Sequence, residues 1–496
     1  MLVRALAVLL LGLALHAPRL SRPELENEEG RRALPAREML ETGDFVLPTL
    51  FGEPYLSKPP GIFYAIAASA RLLEQLPSSP AAPDESGWFP AEHGPVSPLA
   101  VRLPSLLATL VCALALLLVA PHFEASLGGC RLPARGVPSE AGSFAAVLFL
   151  LAPSVARKAR LGEIELALTV ASFLAGLALW FAVHGPRLRL LFAALGGLCL
   201  WAALLLKGPV ALLFTLPVGL VAAGRRRPLR GWLAVAMATG IAGALMGLWL
   251  IPLAQRFPDP SEFLAVWAGE IARNPESGLE VFLRDRRRLV FGSLLGWLPA
   301  SGVVIAGLIA GFRGRAVAGL SSTLLCIGLP ALVLLAWPEV RARYAMPLLP
   351  WVALAAGLAS NRWLQGRRAS GRPGFPKWVF FLFGLLCTAR WVQLLVVDPA
   401  RDGRARHIES ARVLDGLVAS ASVQGVLWVE ATQGFKTLYY MRQDVRWVER
   451  ADLVPAGGLL LRGPAAQGAP PGAEWEPLEV QVPTPKLADS ELWRRR

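Results

Sequence analysis

Long apolar runs follow one another along most of this chain, and they restrict the fold more than any other feature. Residues 231–254, 291–311 and 378–397 are each long enough to cross about 30 Å of hydrocarbon as a helix rising about 1.5 Å per residue. Backbone amides find no partner in lipid, so such runs are expected to be helical. Only 17% of the 496 residues are charged, against about 25% in soluble domains. The sequence therefore predicts an all-α polytopic membrane protein.

About eleven transmembrane helices are predicted from the apolar runs. They lie near residues 3–20, 99–120, 141–156, 164–184, 190–206, 209–223, 231–254, 291–311, 316–337, 345–360 and 378–397. Residues 1–20 also fit a cleaved signal peptide, because Arg4 precedes an apolar run that ends in small residues near Ala17. Under either interpretation, residues 21–98 follow on the outer side.

The net charge of +14 raises the question of nucleic-acid binding. The basic clusters at 225–230, 313–315 and 362–377 instead lie between apolar runs, as cytoplasmic loops do under the positive-inside rule. The expected partner is therefore the lipid bilayer, and no nucleic acid is expected to bind. With the N-terminus on the cytoplasmic side, successive loops alternate between the two sides of the membrane without any predicted span having to be added or omitted. One turn does not fit, because Arg157, Lys158 and Arg160 would lie outside.

The long apolar runs end near residue 397 and a more polar tail follows, which predicts a domain boundary there. Residues 1–397 form the expected transmembrane domain, with a first extracytoplasmic loop at 21–98, and residues 398–496 a small soluble domain on the same outer side. Helical periodicity at 407–421 and strand-like alternation near 425–430, 445–449 and 459–461 predict that this tail is α/β. The five cysteines show no metal-ligand or disulfide spacing.

The first extracytoplasmic loop, residues 21–98, is rich in charged residues, although charged residues are few in the chain as a whole. Five glutamates occur between residues 24 and 38, among three arginines. Further along, Pro59-Pro60 forms a stiff turn that presents Lys58, since proline fixes φ and lacks an N–H. From spacing alone, a solvated loop of mixed charge and a catalytic loop both remain open.

An ordered set of motifs resembles the aminoarabinose lipid A transferase and protein mannosyltransferase superfamily. In chain order the matching residues are Glu28-Glu29-Gly30-Arg31, Arg37-Glu38-Met39-Leu40, Gly43-Asp44, Pro48, Gly52, Tyr55, Lys58-Pro59-Pro60, Arg102-Leu103-Pro104-Ser105, Lys207-Gly208-Pro209, Arg343-Tyr344-Ala345-Met346-Pro347 and, more weakly, 435–448. The resemblance spans most of the chain.

The resemblance implies a GT-C type glycosyltransferase. Such an enzyme takes a sugar from a polyprenyl-phosphate donor to an acceptor, which can be lipid A, another glycan or a protein, on the periplasmic face of a bacterial inner membrane. A single displacement by the acceptor would invert the anomeric carbon. The donor is already lipid-linked, which agrees with the lack of a P-loop or other Gly-rich phosphate loop in the sequence.

Three carboxylates are the catalytic candidates under this resemblance. Glu28 aligns with the family's first acid and would act as general base, while Glu29 would orient it or bind the acceptor. Glu163 aligns with a second family acid, although acids also suit a helix N-terminus. The family has Asp where this chain has Glu28 and Glu163. The extra methylene matters because a displacement of about 1 Å can cost on the order of 100-fold in rate.

The substrate-binding candidates are mostly cationic. Those expected to hold the lipid phosphate are Lys58, Arg31, and Arg284 and Arg287 of a basic cluster on the outer side. Lys207 would bind phosphate or shape a turn. Tyr55, Arg343 and Tyr344 would line the substrate cavity. The alternatives are a topology error or a helix edge bound to ordinary phospholipid for the 284–288 cluster, snorkelling for Lys207 and interface packing for the tyrosines.

No metal centre is predicted, because the sequence lacks a His or Cys cluster. Acidic loops can bind a divalent cation weakly, so such an ion is the one cofactor left open. Two other functions also remain open: a transporter of lipid-linked sugars and a non-catalytic transferase relative. The spans between residues 231 and 360 carry no ionisable residue at their centres, which disfavours a transporter.

Overall fold

The computed structural model describes most of the chain. The described residues are 1–75, 96–128, 140–184, 188–226, 228–256, 265, 279–312, 320–337, 340–372, 376–399, 407–422, 424–430, 435–441, 443–463, 474–478 and 490–496. Most of residues 257–278 and most of residues 464–489 lie outside them.

Helices dominate the described residues. In chain order they are α1 (Leu2–His16), α2 (Glu29–Thr42), α3 (Gly61–Glu74), α4 (Pro98–Gly128), α5 (Ala141–Leu150), α6 (Pro153–Lys158), α7 (Ile164–His184), α8 (Arg189–Lys207), α9 (Val210–Arg226), α10 (Pro228–Ala254), α11 (Leu279–Gly296), α12 (Ala300–Phe312), α13 (Leu320–Ala336), α14 (Leu349–Ala369), α15 (Lys377–Val392), α16 (His407–Ala421) and α17 (Phe435–Tyr439). A 3₁₀ helix, Ala342–Leu348, precedes α14, and a π-helix, Gln393–Val397, follows α15.

Every predicted apolar run coincides with a helix, but fewer helices than expected are long enough to cross a bilayer. Among the described residues, six helices are long and apolar enough, or seven if one bent pair forms a single span. Four further apolar helices are shorter, including α1 and α5. These helices make the chain a multi-pass membrane protein.

One predicted span is broken. The run at 291–311 is divided between α11 and α12, whose axes are bent by 97° across residues 297–299. Pro299 lies in this break, where its missing N–H removes a backbone donor. Apolar composition continues through the bend, so the run resembled a single helix in the sequence.

The chain divides into two compact units. The first comprises Met1–Pro18, Ser57–Ile62 and Ser105–Gln393. Its core packs aromatic rings of α4, α7 and α14: Phe173 of α7 meets Trp351 of α14 edge-on at 5.0 Å between centroids, and the ring centroid of Phe123 of α4 lies 4.4 Å from that of Trp180 of α7. Such pairs add about 0.5–1.5 kcal/mol beyond burial.

The second unit comprises Arg19–Leu56, Phe63–Pro104 and Leu394–Arg496. It therefore joins the first loop to the tail, rather than dividing from the rest at residue 397 as the sequence suggested. This grouping follows from contacts inside the unit, since α2 packs on α17. At Gly30 a Cβ would lie 2.7 Å from the Phe435 carbonyl oxygen, so only glycine permits this approach.

The tail is α/β, as predicted. Its described strands are β3 (Val426–Glu430), β4 (Asp444–Trp447), β5 (Leu459–Arg462), β6 (Trp475–Leu478) and β7 (Glu491–Arg495), after the small hairpin of β1 (Thr49–Leu50) and β2 (Glu53–Pro54) in the first loop. The sheet order is β4-β3-β5-β7-β6. Strands β4, β3 and β5 are parallel, and β5, β7 and β6 are antiparallel.

Candidate active site

Glu29 is buried and fully engaged by Arg102 within the second unit. Both side chains have no exposed surface. The Arg102 Nε donates to Glu29 Oε1 at 2.9 Å, and Nη2 donates to Oε2 at 3.0 Å. The remaining Arg102 donors reach the carbonyl oxygens of Leu20, Arg22 and Glu24. This geometry holds the chain leading into α2, and it favours a positioning role for Glu29.

Glu28 occupies the residue just before α2, and its side chain is accessible. It is 41% exposed, and its Oε2 lies 3.9 Å from Arg31 Nη1 one helical turn on. Its backbone leaves the helical region, with φ −93° and ψ 5°. An accessible carboxylate held by a buried neighbour is a suitable arrangement for a general base.

Tyr55 lies among cations in the same unit. Its hydroxyl accepts a hydrogen bond from Arg32 Nη1 at 3.2 Å, and the Arg31 guanidinium lies 5.3 Å from its ring centroid. Arg31 also lies 5.4 Å from the Phe435 ring. The structure thus brings two substrate-binding candidates, Arg31 and Tyr55, together against α17.

Two tyrosines at the end of α17 bind backbone of the first loop. The Tyr440 hydroxyl donates to the Pro23 carbonyl at 2.5 Å and accepts from the Leu25 N–H at 2.9 Å. The Tyr439 hydroxyl donates to the Val96 carbonyl. Burial raises the pKa of Tyr439 to about 12 and that of Tyr440 well above its ordinary value, so both remain donors at physiological pH.

The first unit carries a separate cluster of buried charges at the start of α7. Lys158 forms an ion pair with Glu163, and both side chains are buried. Glu165 lies 3.5 Å from Arg343 Nε. Burial and then the Glu165 carboxylate raise the pKa of Glu163, while the Lys158 ammonium opposes them. Two carboxylates and several cations thus share one water-poor region, where charges interact strongly.

Lys207 and Tyr344 belong to the same cluster. The Lys207 ammonium lies 4.3 Å from the Tyr344 ring centroid, and the Arg343 guanidinium lies 5.8 Å from it. The charges of Lys158, Lys207 and Arg343 all act on Glu165. We call Lys158, Glu163, Glu165, Lys207, Arg343 and Tyr344 the α7 charge cluster.

Three candidates remain, one just before α3 and two on α11. Lys58 Nζ donates to the Ser57 carbonyl at 2.8 Å. Arg284 and Arg287 lie on the exposed face of α11, and no described residue outside α11 forms a hydrogen bond or ion pair with either. Helix α11 packs on the 3₁₀ helix that carries Arg343 and Tyr344.

No metal centre is present among the described residues, in which no group of three His, Cys, Asp or Glu side chains is placed to hold an ion. The weakly bound divalent cation stays a prediction.

Sequence reasoning missed two partners. Arg102 was matched to a family motif without a role, because the sequence does not reveal its contact with Glu29, 73 residues away. For Lys158, the sequence showed only a basic residue in a loop predicted to lie outside, against the positive-inside rule. Both Lys158 and Arg160 are buried in the protein. Their positions therefore say nothing about which side of the membrane this turn faces.

No protein-family model matches the chain, and no curated protein matches its sequence. The crystal structure of ArnT from Cupriavidus metallidurans bound to undecaprenyl phosphate is similar, with a TM-score of 0.65, 16% identity, and coverage of 99% of this chain and 97% of that chain. The apo crystal structure of the same protein gives a TM-score of 0.66 with the same identity and coverage. At this identity the likeness concerns the fold. The chain therefore shares the fold of ArnT, which is the fold that the resemblance in its sequence predicted.

Proposed function

We propose that the chain is a membrane glycosyltransferase that moves a sugar from a polyprenyl phosphate to an extracytoplasmic acceptor. The α7 charge cluster is the observation that carries this proposal. It places the buried Lys158 and the half-buried Lys207 and Arg343 beside carboxylates in a fold shared with ArnT, a protein crystallised with undecaprenyl phosphate. Partly shielded from water, such cations bind a phosphate more strongly than fully exposed ones.

The proposed reaction is a single displacement. The acceptor hydroxyl gives its proton to a carboxylate as its oxygen forms a bond to the anomeric carbon. The bond between that carbon and the phosphate oxygen breaks, and polyprenyl phosphate leaves with the electron pair. Attack opposite the leaving group inverts the anomeric carbon.

Glu28 is the proposed base, because its carboxylate is accessible and its neighbour Glu29 is held by Arg102. Glu29 then serves as a positioning residue. Arg31 and Tyr55 form a cationic and aromatic surface that suits a sugar or an anionic acceptor.

The leaving phosphate is proposed to meet Lys207 and Arg343, with Lys58 as a third cation. Electrostatic stabilisation of a developing charge by such groups commonly supplies the largest share of catalysis. Glu163 keeps Lys158 in place, and Tyr344 orients Lys207 through its ring face.

We place this chemistry on the periplasmic side of a bacterial inner membrane. The basic clusters between the apolar runs favour the cytoplasm for those loops, which leaves the first loop and the tail outside. Donors of this class present their sugar there.

The test is glycan transfer in a strain that lacks the gene. The strain is complemented with wild type, Glu28→Gln, Lys207→Ala or the control Glu53→Gln, and protein levels are matched by blot. Lipid A, envelope polysaccharide and exported protein are then compared by mass spectrometry. Glu53 is an exposed glutamate in the same first loop, so its change to Gln removes the same charge.

We expect one sugar to disappear on deletion and to return with wild type and Glu53→Gln. Glu28→Gln should restore less than about 1% of it, since a general base commonly contributes 10²–10⁴-fold. Lys207→Ala should also restore far less than wild type, because the leaving phosphate loses a cation that stabilises its charge. Full restoration by Glu28→Gln would remove Glu28 as the base. A sugar lipid that accumulates on the cytoplasmic face after deletion would point to transport instead.

A further inference from the structure

Helix α11 has two faces of different character. Its buried face includes Arg286, Leu289 and Ser293. At 100° per residue, the side chains of Arg284, Arg287 and Arg288 fall within an arc of about 100° on the opposite side. All three are exposed.

The buried face fixes this helix firmly. Arg286 Nε donates to the Leu335 carbonyl at 2.6 Å, and Nη2 donates to the Trp337 carbonyl. The same guanidinium lies 3.9 Å from the Phe282 ring centroid. Arg286 therefore ties α11 to the end of α13, and the exposed arc is presented by a helix that is held in place.

Little within the described residues neutralises the exposed arginines. Arg284 Nε lies 3.8 Å from Asp285 Oδ1, and its side chain is 54% exposed, so this pair is weak. No described residue pairs with Arg287 or Arg288. Three guanidinium groups within about 6 Å along the helix axis thus have no carboxylate partner among the described residues beyond this weak pair.

The same arc becomes apolar toward the end of α11. Phe291 and Leu295 lie within it and are 61% and 63% exposed. They follow the arginines by about 10 Å along the axis. Beyond residue 299 the chain continues as α12, which packs against the membrane helix α14. The arc therefore offers cations followed by an apolar surface, which matches the order of head group and acyl chain in a phospholipid.

We propose that this arc of α11 is a binding site for an anionic phospholipid of the bilayer. The phosphate-bearing head group would bind Arg284, Arg287 and Arg288, and the acyl chains would cover Phe291 and Leu295. Helix α11 contacts the 3₁₀ helix that carries Arg343 and Tyr344 near Gly292, where an added Cβ would lie 3.0 Å from Ala342 Cβ. Among the described residues, no hydrogen bond or ion pair joins Arg284, Arg287 or Arg288 to Lys207 or Arg343. For this reason the ligand is a bilayer lipid, and the site is separate from the proposed donor site.

The experiment is native mass spectrometry of the full-length protein, delipidated in detergent. Phosphatidylglycerol and phosphatidylcholine with identical acyl chains are added in turn, and bound lipid is counted. The test variant is Arg284→Gln/Arg287→Gln/Arg288→Gln. The control is Arg446→Gln/Arg450→Gln/Arg496→Gln, which removes the same charge from exposed arginines of the tail.

We expect wild type and the control to retain phosphatidylglycerol at least about tenfold more than phosphatidylcholine, with retention falling as salt rises. The test variant should lose this preference while its circular dichroism and monodispersity stay unchanged. The single change Arg288→Gln should give a partial loss, which keeps the test valid if the triple variant folds poorly.

Two results would overturn the proposal. One is equal uptake of the two lipids by wild type. The other is displacement of phosphatidylglycerol by equimolar undecaprenyl phosphate with no reverse exchange, because that would assign the arc to the donor. Neither result depends on glycosyl transfer, so the proposed function and this site fail or succeed separately.

Discussion

Arg102 engages Glu29 and three carbonyl groups at once, so no cation with fewer or differently arranged donors can replace it. A guanidinium presents five N–H groups in a planar fork, whereas a lysine ammonium presents three from one atom. The pair is fully buried, so any donor or acceptor left over has no access to water.

We expect Arg102→Lys to lower the free energy of unfolding by about 1–3 kcal/mol, because the ammonium keeps the charge but leaves buried carbonyl oxygens without a donor. Unfolding of the purified protein in detergent, followed by tryptophan fluorescence, measures this change. Arg71→Lys is the control, since Arg71 pairs with Glu74 at 3.2 Å on an exposed helix face. That change should cost less than about 1 kcal/mol. Equal effects of the two would contradict the assigned role.

Tyr440→Phe removes one hydroxyl that both donates and accepts. We expect a loss of about 1–3 kcal/mol at neutral pH, because the Leu25 N–H loses its partner in a buried site. Tyr439→Phe is a matched change next to it that spares this N–H.

The phenol also predicts a pH dependence. The pKa of Tyr440 is raised in the folded protein, and an unfolded tyrosine ionises near pH 10. The folded state therefore holds the proton more tightly, and stability falls as pH rises above about 10. The unfolding temperature of wild type should fall more steeply between pH 9 and 11 than that of Tyr440→Phe. If the unfolding temperatures of the two proteins fell equally with pH, ionisation of Tyr440 would not be the cause of the pH dependence.

At the residue scale, the sequence identified positions better than partners. The resemblance selected Glu163, Lys207, Arg343 and Tyr344, and the structure brings these four into one cluster. Lys158 could not be found in this way, because nothing in a sequence marks a basic residue as buried. The catalytic and binding roles of all of them stay predictions.

Among the elements, the apolar helices were predictable because their composition is continuous. The break at 297–299 was missed because the residues around Pro299 are as apolar as the helices on either side. Strand β6 was missed for a related reason. It contains Pro477 and lies at the edge of the sheet, where a proline is tolerated but the alternating pattern is lost.

The turn between α8 and α9 depends on one glycine. Gly208 ends α8 with φ 64° and ψ −151°, a conformation essentially restricted to glycine. We expect Gly208→Ala to cost about 1–3 kcal/mol and to displace Lys207, which immediately precedes it. Thermal unfolding measures the cost. Gly224→Ala is the control, because a Cβ at Gly224 would meet nothing within 4 Å. Equal unfolding temperatures for the two variants would argue against strain at Gly208.

For the whole molecule, the composition established the class, and the likeness to ArnT established the fold. What the sequence did not reveal is that the first loop belongs with the tail. The contacts responsible are long-range, such as the hydrogen bond from Arg37 to the Tyr439 carbonyl at 3.2 Å. Pattern and spacing carry no information about such pairs.

A chain ending at residue 397 should therefore expose the first loop. We expect trypsin to cleave it at Arg31 and Arg37 at least about tenfold faster than in the full-length protein, since α2 loses its packing on α17. Co-expression of residues 398–496 as a separate chain should restore resistance. Unchanged cleavage in the shortened chain would show that the first loop is ordered without the tail.

The hydrogen bond between Leu25 and Tyr440 joins residues 415 positions apart. During synthesis at about 5–20 residues per second, roughly 20 to 80 s separate the emergence of these two groups. Throughout that interval the first loop has left the ribosome without the tyrosine that satisfies the Leu25 backbone N–H. Nascent chains of this protein thus present an incomplete loop for a long time. A chaperone or a protease outside the membrane would meet that loop before the finished protein exists.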